Sequence, residues 1–283
     1  MKLWDSPQTK QLIRRALAED RARQDVTTKA LIPRAKSGKA SVIAKAAGTL
    51  AGVEILKQVF LLADPTLKVT IISANGTAIK PGDIIAVVQG RVSSILKAER
   101  VALNFIQRMS GIASATASYV QAVKGLKTEI MDTRKTTPGL RALEKYAVYA
   151  GGGKNHRMDL ADGILIKDNH IAALRSEGLG IKEILAKARK NAPPKLAIEI
   201  EAKTPEEAEQ AAASGADIVL LDNMTPEQMR RAVKLIRGRA LTEASGGITL
   251  ENVRAVAETG VDRISIGALT HSPKALDISL DID

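Results

Sequence analysis

Leu196–Gly247, LAIEIEAKTPEEAEQAAASGADIVLLDNMTPEQMRRAVKLIRGRALTEASGG, repeats one unit. A short apolar strand over 196–201 ends on Glu201. Thr204-Pro205-Glu206-Glu207 opens a helix, and Gly215 closes it. A second strand, 218–222, ends on Asp222; Thr225-Pro226-Glu227-Gln228 opens the next helix, and a third strand, 241–245, ends on Ser245. Threonine before proline, with Glu or Gln three residues on, is a helix-start signal that satisfies orphan backbone N–H groups. Glycine just past the helix supplies the left-handed stop. Strand ends at Glu201, Asp222, Ser245 and Gly267 lie 21, 23 and 22 residues apart, the beat of consecutive βα units around a parallel sheet.

Two more strands precede these, 129–132 and 164–167, and one follows at 263–267. A full eight-unit barrel takes ~250 residues, and 112–270 is too short for that. The expectation is α/β: an open, incomplete barrel of about six parallel strands. The first hundred residues read differently. Ser6-Pro7 opens an amphipathic helix over 7–19. Short β-branched runs within 39–45 and 67–89 are cut by the turn signals Asn75-Gly76 and Pro81-Gly82-Asp83, with a helix at 52–62, which describes an α+β unit with antiparallel hairpins. A helix over 95–109 is expected to break at Ser110-Gly111, with a second running to about Lys124. The alternating tail Leu276, Ile278, Leu280, Ile282 reads as a strand returning to the N-terminal unit. The expected domains are therefore 1–111, joined by 275–283, and 112–274.

Composition narrows the partners. Apolar residues make up 45% of the 283 and charged residues 26%, with no cysteine. No disulfide or thiolate chemistry is open to such a chain, and a reducing cytoplasm suits it. No leader is visible in MKLWDSP, and no apolar run approaches the ~18 residues of a membrane helix. The formal charge of +11 asks for an anionic partner. Nucleic acid is disfavoured, because aromatics to stack bases make up only 2% of the chain.

In a parallel barrel the chemistry sits at the C-terminal ends of the strands. This sequence places there Asp132 to Gly139 (DTRKTTPG), the loop Gly151 to Arg157 (GGGKNHR), Lys167 to His170 (KDNH), Glu199-Ile200-Glu201, Asp222-Asn223, Glu243 to Gly247 (EASGG), and Gly267 followed by Thr270-His271-Ser272. Arg134, Lys135, Arg157 and Lys167, with His156, converge on one mouth. Glu201 and Asp222 cannot neutralise that set alone, so the substrate is expected to be a small polyanion. The two carboxylates read equally as Mg²⁺ partners, with substrate oxygens and water completing the ion, or as salt-bridge partners of Lys167 or Arg157. Ser245-Gly246-Gly247, before a helix expected near Thr249, reads as a phosphate nest. Arg100 and Arg108 share a face of the preceding helix and, on the residues alone, read as a solvated basic face.

The segments ALNFIQRMSGIA (102–113), DTRKTTPGLR (132–141), GGGKNHR (151–157), LIKDNHI (165–171), LLDNM (220–224), EASGGI (243–248) and SIGALTHS (265–272) resemble quinolinate phosphoribosyltransferases, in order and at compatible spacing over nearly the whole chain. The resemblance implies an N-terminal α/β sandwich domain and an open barrel. It implies transfer of phosphoribosyl from phosphoribosyl pyrophosphate to quinolinate with decarboxylation, dependent on Mg²⁺, in a homodimer whose sites each borrow a cation from the partner subunit. Arg100 matches that donated position. Arg134, His156, Arg157 and Lys167 match positions holding the quinolinate carboxylates, and Lys135 the pyrophosphate side. Glu201 and Asp222 match the ribose and Mg²⁺ positions. Ser245, Gly246, Gly247, Gly267 and His271 match the surroundings of the ribose 5′-phosphate. Lys135, Lys167, Glu201 and Asp222 are the expected catalytic set. Two departures stand out: Asp159 replaces a glycine common after the His-Arg pair, and DRARQDVTT (20–28) lacks a glycine before Asp25. A paralogous molybdenum-transport-associated family shares the fold and several motifs, but intact LIKDNHI and GALTHS favour the quinolinate enzyme.

Overall fold

The computed structural model describes residues 2–282. In chain order its elements are α1 (Pro7–Glu19), α2 (Val26–Leu31), β1 (Ser37–Ala44), β2 (Gly48–Thr49), α3 (Val53–Ala63), β3 (Lys68–Ile71), β4 (Ala78–Ile79), β5 (Ile84–Arg91), α4 (Val92–Ala122), β6 (Glu129–Met131), α5 (Arg141–Ala150), β7 (Ile164–Ile166), α6 (Asp168–Arg175), α7 (Ile181–Asn191), β8 (Ile198–Ala202), α8 (Pro205–Ala213), β9 (Ile218–Asp222), α9 (Pro226–Ile236), β10 (Leu241–Ser245), α10 (Val253–Ala257), β11 (Arg263–Ser265), α11 (Ala268–His271) and β12 (Ile278–Ile282). They form two compact units. One takes in the chain up to Ala117, Thr136–Gly152 and everything from Leu269 on; the other takes Ser118–Lys135 and Gly153–Ala268. Thr136–Gly152, with α5, thus stands in the first unit, although the sequence placed it in the barrel. No helix among the described residues is long and apolar enough to cross a membrane.

In the first unit, β12, β1, β5 and β3 form a four-stranded sheet in that order, and its pairs are antiparallel. The C-terminal strand meets β1 with Val42 opposite Leu280. Ala40, Val42, Ala86 and Val88 of the sheet and Ile55, Leu56, Val59 and Phe60 of α3 are fully or almost fully buried, the one-faced burial that period-2 strands and a 3.6-period helix allow.

One expectation fails here. Ser110-Gly111 does not break a helix; α4 runs unbroken from Val92 to Ala122. Both residues are small for packing reasons. The Ser110 hydroxyl accepts from Ala51 N at 3.0 Å and donates to Ala51 O at 3.1 Å. A Cβ built on Gly111 would lie 2.1 Å from the Lys274 carbonyl oxygen. Small residues in a helix signal a break and a close approach equally well, and only the neighbouring chain tells them apart.

In the second unit six parallel strands run in the order β6, β11, β10, β9, β8, β7. The strands next to one another in sequence at the start, β6 and β7, are the two edges, so the barrel is open between them. Lys154 partly lines the β6 edge: its N–H donates to Ile130 O at 2.8 Å and its carbonyl accepts from Asp132 N at 3.1 Å. Ile198, Ile200, Val219, Leu221, Ala244 and Ile264 are fully buried, the continuous apolar character of strands covered on both faces. The start signals act as read: Thr204 Oγ1 accepts from Glu207 N and Thr225 Oγ1 from Gln228 N, while Gly215 and Gly260 take left-handed φ of 88° and 91°.

Candidate active site

Parallel pairing brings the C-terminal ends of β6 and β8 to β11 to one rim. There β9 and β10 set Asp222 opposite Ser245, and β8 and β9 set Glu201 opposite Leu220. Just past β6, the fully buried Asp132 anchors the glycine-rich loop. Its Oδ1 accepts from His156 N at 2.8 Å and its Oδ2 from Asn155 Nδ2 at 2.7 Å. Arg134 and Arg157 then face one another's charge. Burial first, and next the like charge of Arg134, hold the Arg157 guanidinium below its usual range, with Glu199 and Glu201 opposing. Lys135 is exposed in a tight turn in which its N–H donates to Thr133 Oγ1 at 3.0 Å. Asp159, standing where a glycine was expected, accepts from Ala161 N at 2.8 Å, a turn that its side chain supports without glycine.

The carboxylates divide. Glu201 Oε1 lies 3.6 Å from Lys167 Nζ, and its Oε2 accepts from Asp168 N at 2.8 Å. Lys167 is the N-cap of α6, where its N–H donates to His170 Nδ1 at 2.9 Å; His170 is therefore a helix-start group. Glu199, two residues before Glu201 and on the same strand face, points deeper. It is 4% exposed, and its Oε2 lies 3.0 Å from His156 Nε2. Glu243 of β10 is fully buried and reaches the same nitrogen at 3.4 Å. Burial, then the Glu199 charge, push the Glu243 carboxyl up to about 7, with His156 opposing. Sequence reasoning assigned Glu243 no role. The available signal was an acid in the middle of the strand LTEAS, between Thr242 and Ala244, which are buried with it.

The glycine loop after β10 is shaped by its neighbour. Gly246 has φ 95°, and a Cβ there would fall 2.1 Å from Asn223 Oδ1. Asn223, itself at φ 54°, donates from N to Ser245 O at 2.8 Å. The helix expected near Thr249 starts at Val253 instead. Thr249 N donates to Asn252 Oδ1 and Asn252 Nδ2 to Gly247 O, both at 2.9 Å, so the side chain holds a turn where the helix was expected. Ser245, Gly246 and Gly247 stand as a loop, with Gly267 just past β11.

Two expected site residues belong to the first unit. Arg100 is exposed on α4. His271 is exposed at the end of α11, its Nδ1 2.6 Å from Ser272 Oγ. Arg108, read as part of a solvated face, is a half-buried tie: its Nη2 donates to the buried Glu144 Oε1 at 2.7 Å and to Thr270 O at 2.6 Å.

Comparison with known proteins divides the chain near residue 111. Residues 25–110 match the family described as quinolinate phosphoribosyl transferase, N-terminal domain, and 112–281 its C-terminal domain. The chain is 46% identical over 275 residues to the probable nicotinate-nucleotide pyrophosphorylase (carboxylating) of Bacillus subtilis, covering 97% of this chain and 93% of that protein. It is 42% identical over 278 residues to the nicotinate-nucleotide pyrophosphorylase of Mycobacterium leprae, covering 95% of each. The crystal structure of NadC from Streptococcus pyogenes superposes with a TM-score of 0.94 at 41% identity, over 100% of this chain and 99% of that one. Matched in both domains, and along nearly its whole length by relatives of similar size, the chain belongs to the quinolinate phosphoribosyl transferase family.

Proposed function

We propose that the protein transfers the phosphoribosyl group of phosphoribosyl pyrophosphate to quinolinate and decarboxylates the product, giving nicotinate mononucleotide, pyrophosphate and CO2. The carrying observation is the Arg157 guanidinium at the barrel rim, which burial first and the charge of Arg134 next hold below its usual range. Like charges so placed are stabilised by a ligand carrying adjacent anions, and a pyridine dicarboxylate is one. Arg134, Arg157 and Lys167 pair with its carboxylates, with His156 beside them. Lys135 lies on the pyrophosphate side, and Ser245, Gly246, Gly247, Gly267 and His271 surround the 5′-phosphate.

The ring nitrogen attacks the anomeric carbon as the bond to pyrophosphate breaks. Lys135 stabilises the charge leaving with pyrophosphate, and Glu201 and Asp222 the positive charge growing on the ribose. Glu201 and Asp222, oxygen donors at the ends of adjacent strands, fit Mg²⁺, which takes one or two carboxylates plus substrate oxygens. Bound there, the ion supplies charge neutralisation for the pyrophosphate. The carboxylate next to the cationic ring nitrogen then departs as CO2. Its bonding pair stays on the ring carbon, which takes a proton from solvent. The protein contributes alignment and charge, not a covalent nucleophile. Arg100, exposed on α4, is the cation donated to the partner subunit's site in a homodimer, and the cysteine-free chain works in the cytoplasm.

The test is a product assay with purified protein, Mg²⁺, phosphoribosyl pyrophosphate and quinolinate. Nicotinate mononucleotide is expected with quinolinate and not with nicotinate in its place. Folded protein that binds phosphoribosyl pyrophosphate but gives no product would overturn the acceptor.

A further inference from the structure

His156 reads, from sequence, as one more cation for the acceptor. Its ring contacts say otherwise. Arg157 N donates to His156 Nδ1 at 2.8 Å, so Nδ1 offers a lone pair and carries no hydrogen. A neutral imidazole has one N–H, which places the proton on Nε2. That nitrogen lies 3.0 Å from Glu199 Oε2 and 3.4 Å from Glu243 Oε1, carboxylates that are 4% and 0% exposed. A second ring proton would set an N–H against the Arg157 N–H at hydrogen-bond distance, so the neutral ring is the form that keeps both contacts.

The same tautomer rules on a metal. Ligand atoms of His156, Glu199 and Glu243 all lie within 4.8 Å of one another, a spacing that invites a divalent ion. With Nε2 protonated, the ring has no lone pair on that side. The charge balance closes with a proton in place of an ion. Glu199 Oε1 is buried without a hydrogen-bond partner among the described residues, and both oxygens of Glu243 are buried without a close one, the Ser265 side chain being the hydroxyl that acts on them. Glu199 and His156 border a cavity of about 190 Å³, room for water at that carboxylate. Glu243 does not line it. Burial and Glu199 disfavour ionisation of Glu243 more strongly than the His156 ring, the Ser265 side chain and Arg263 of β11 favour it. Glu243 is therefore the group that keeps a proton.

We propose that His156 is a positioning residue: a neutral Nε2–H imidazole that ties the main chain of Arg157 to the buried Glu199 carboxylate, beside Glu243, leaving Arg157 to present the charge. The positioning role rests on the reading of Arg157 as an acceptor-binding cation; the tautomer does not.

The test is a long-range ¹H–¹⁵N spectrum of the ¹⁵N-labelled full chain, which has three histidines, with His156 identified by its loss in His156→Asn. Expected from about pH 6 to 8 is one protonated Nε2 and one bare Nδ1. Two protonated nitrogens, or a proton on Nδ1 with Nε2 shifting on titration with Zn²⁺ or Mn²⁺, would overturn the proposal. The second arm is kinetic. Asparagine places Oδ1 near the position of Nδ1 and keeps an acceptor for Arg157 N. The quinolinate KM of His156→Asn is expected to lie about tenfold below that of His156→Ala, the effect of one hydrogen bond, with the phosphoribosyl pyrophosphate KM alike in both. Equal quinolinate KM values would remove the positioning role. The spectrum needs no turnover, so loss of the acceptor reading and loss of the tautomer are seen separately.

Discussion

Among single residues, the barrel-rim cations and the buried acids beneath them behave oppositely, and each yields a prediction. Arg134→Ala removes one of two guanidinium groups facing a doubly charged acceptor. A charge-assisted hydrogen bond contributes about 1.5–3 kcal/mol, so quinolinate affinity by calorimetry is expected to fall at least about tenfold; near-normal affinity would sink the assignment. Glu243 carries a linkage prediction. Its carboxyl is raised in the folded state to about 7, above the unfolded value near ~4.3, so between those values the folded state binds more protons than the unfolded one. Stability contributed by this group is thus fully present below the unfolded pKa and lost as pH rises through 7. Glu243→Gln, isosteric with the protonated acid, is expected to remove that decline. Denaturation midpoints across the window would show the variant gaining on the parent as pH rises; parallel profiles would place the raised carboxyl elsewhere.

Secondary-structure elements show where sequence suffices and where it stops. The βα units were legible because caps, glycine stops and apolar strands are local signals, and each of the six barrel strands the sequence placed appears within two residues at each end. The α4 break was misread because Gly111 is explained by Lys274, far away in the chain. The late start of α10 was missed because Asn252 reaches back to Gly247 and Thr249. The strand-end positions of the proposed site residues were legible from topology alone, whereas Glu243 needed the fold that sets it against Glu199 and His156. Gly111 gives a sharp sign test. Helix propensity says that alanine in a helix interior is better than glycine by about 1 kcal/mol. The Lys274 carbonyl 2.1 Å from the new Cβ says the reverse, and overpacking of that kind costs about 1–3 kcal/mol or more. Gly111→Ala is expected to lower the melting temperature by several degrees, roughly 2–4 °C per kcal/mol for a chain this long; a rise would mean that the tail yields freely. Asp64 supplies the opposite linkage to Glu243. Burial opposes its ionisation, but hydrogen bonds from Ser94, Thr66 and Arg91 hold it well below the usual carboxylate range. Its contribution is present above the unfolded pKa and lost as pH falls through the folded one. Asp64→Ala is expected to cost about 3 kcal/mol at neutral pH, with the gap to the parent closing in acid.

At the scale of the whole molecule, a formal charge of +11 divides into cations with partners inside their own unit and cations without one in view. Arg108 and Arg91 are tied to Glu144 and Asp64. Arg100 is exposed on the long helix of the first unit, two turns from Arg108, with the charge of neighbouring Glu99 beside it. A residue kept for local reasons and one kept for a second copy of the chain are separated by subunit mixing. Arg100→Ala and Arg134→Ala are each expected to be inactive alone. If each site takes Arg134 from its own chain and Arg100 from its partner, a mixed dimer has one site with both arginines and one with neither. Random exchange in a symmetric dimer gives half mixed dimers, so the mixture is expected to recover about a quarter of the parent activity. If Arg100 serves its own chain's site, each site of every mixed dimer lacks one arginine, and activity stays at the level of the separate variants. Native mass spectrometry of the same mixture tells the two cases from a failure to exchange: mixed dimers without recovery would end the shared-site reading and return Arg100 to the solvated face from which the sequence alone first read it.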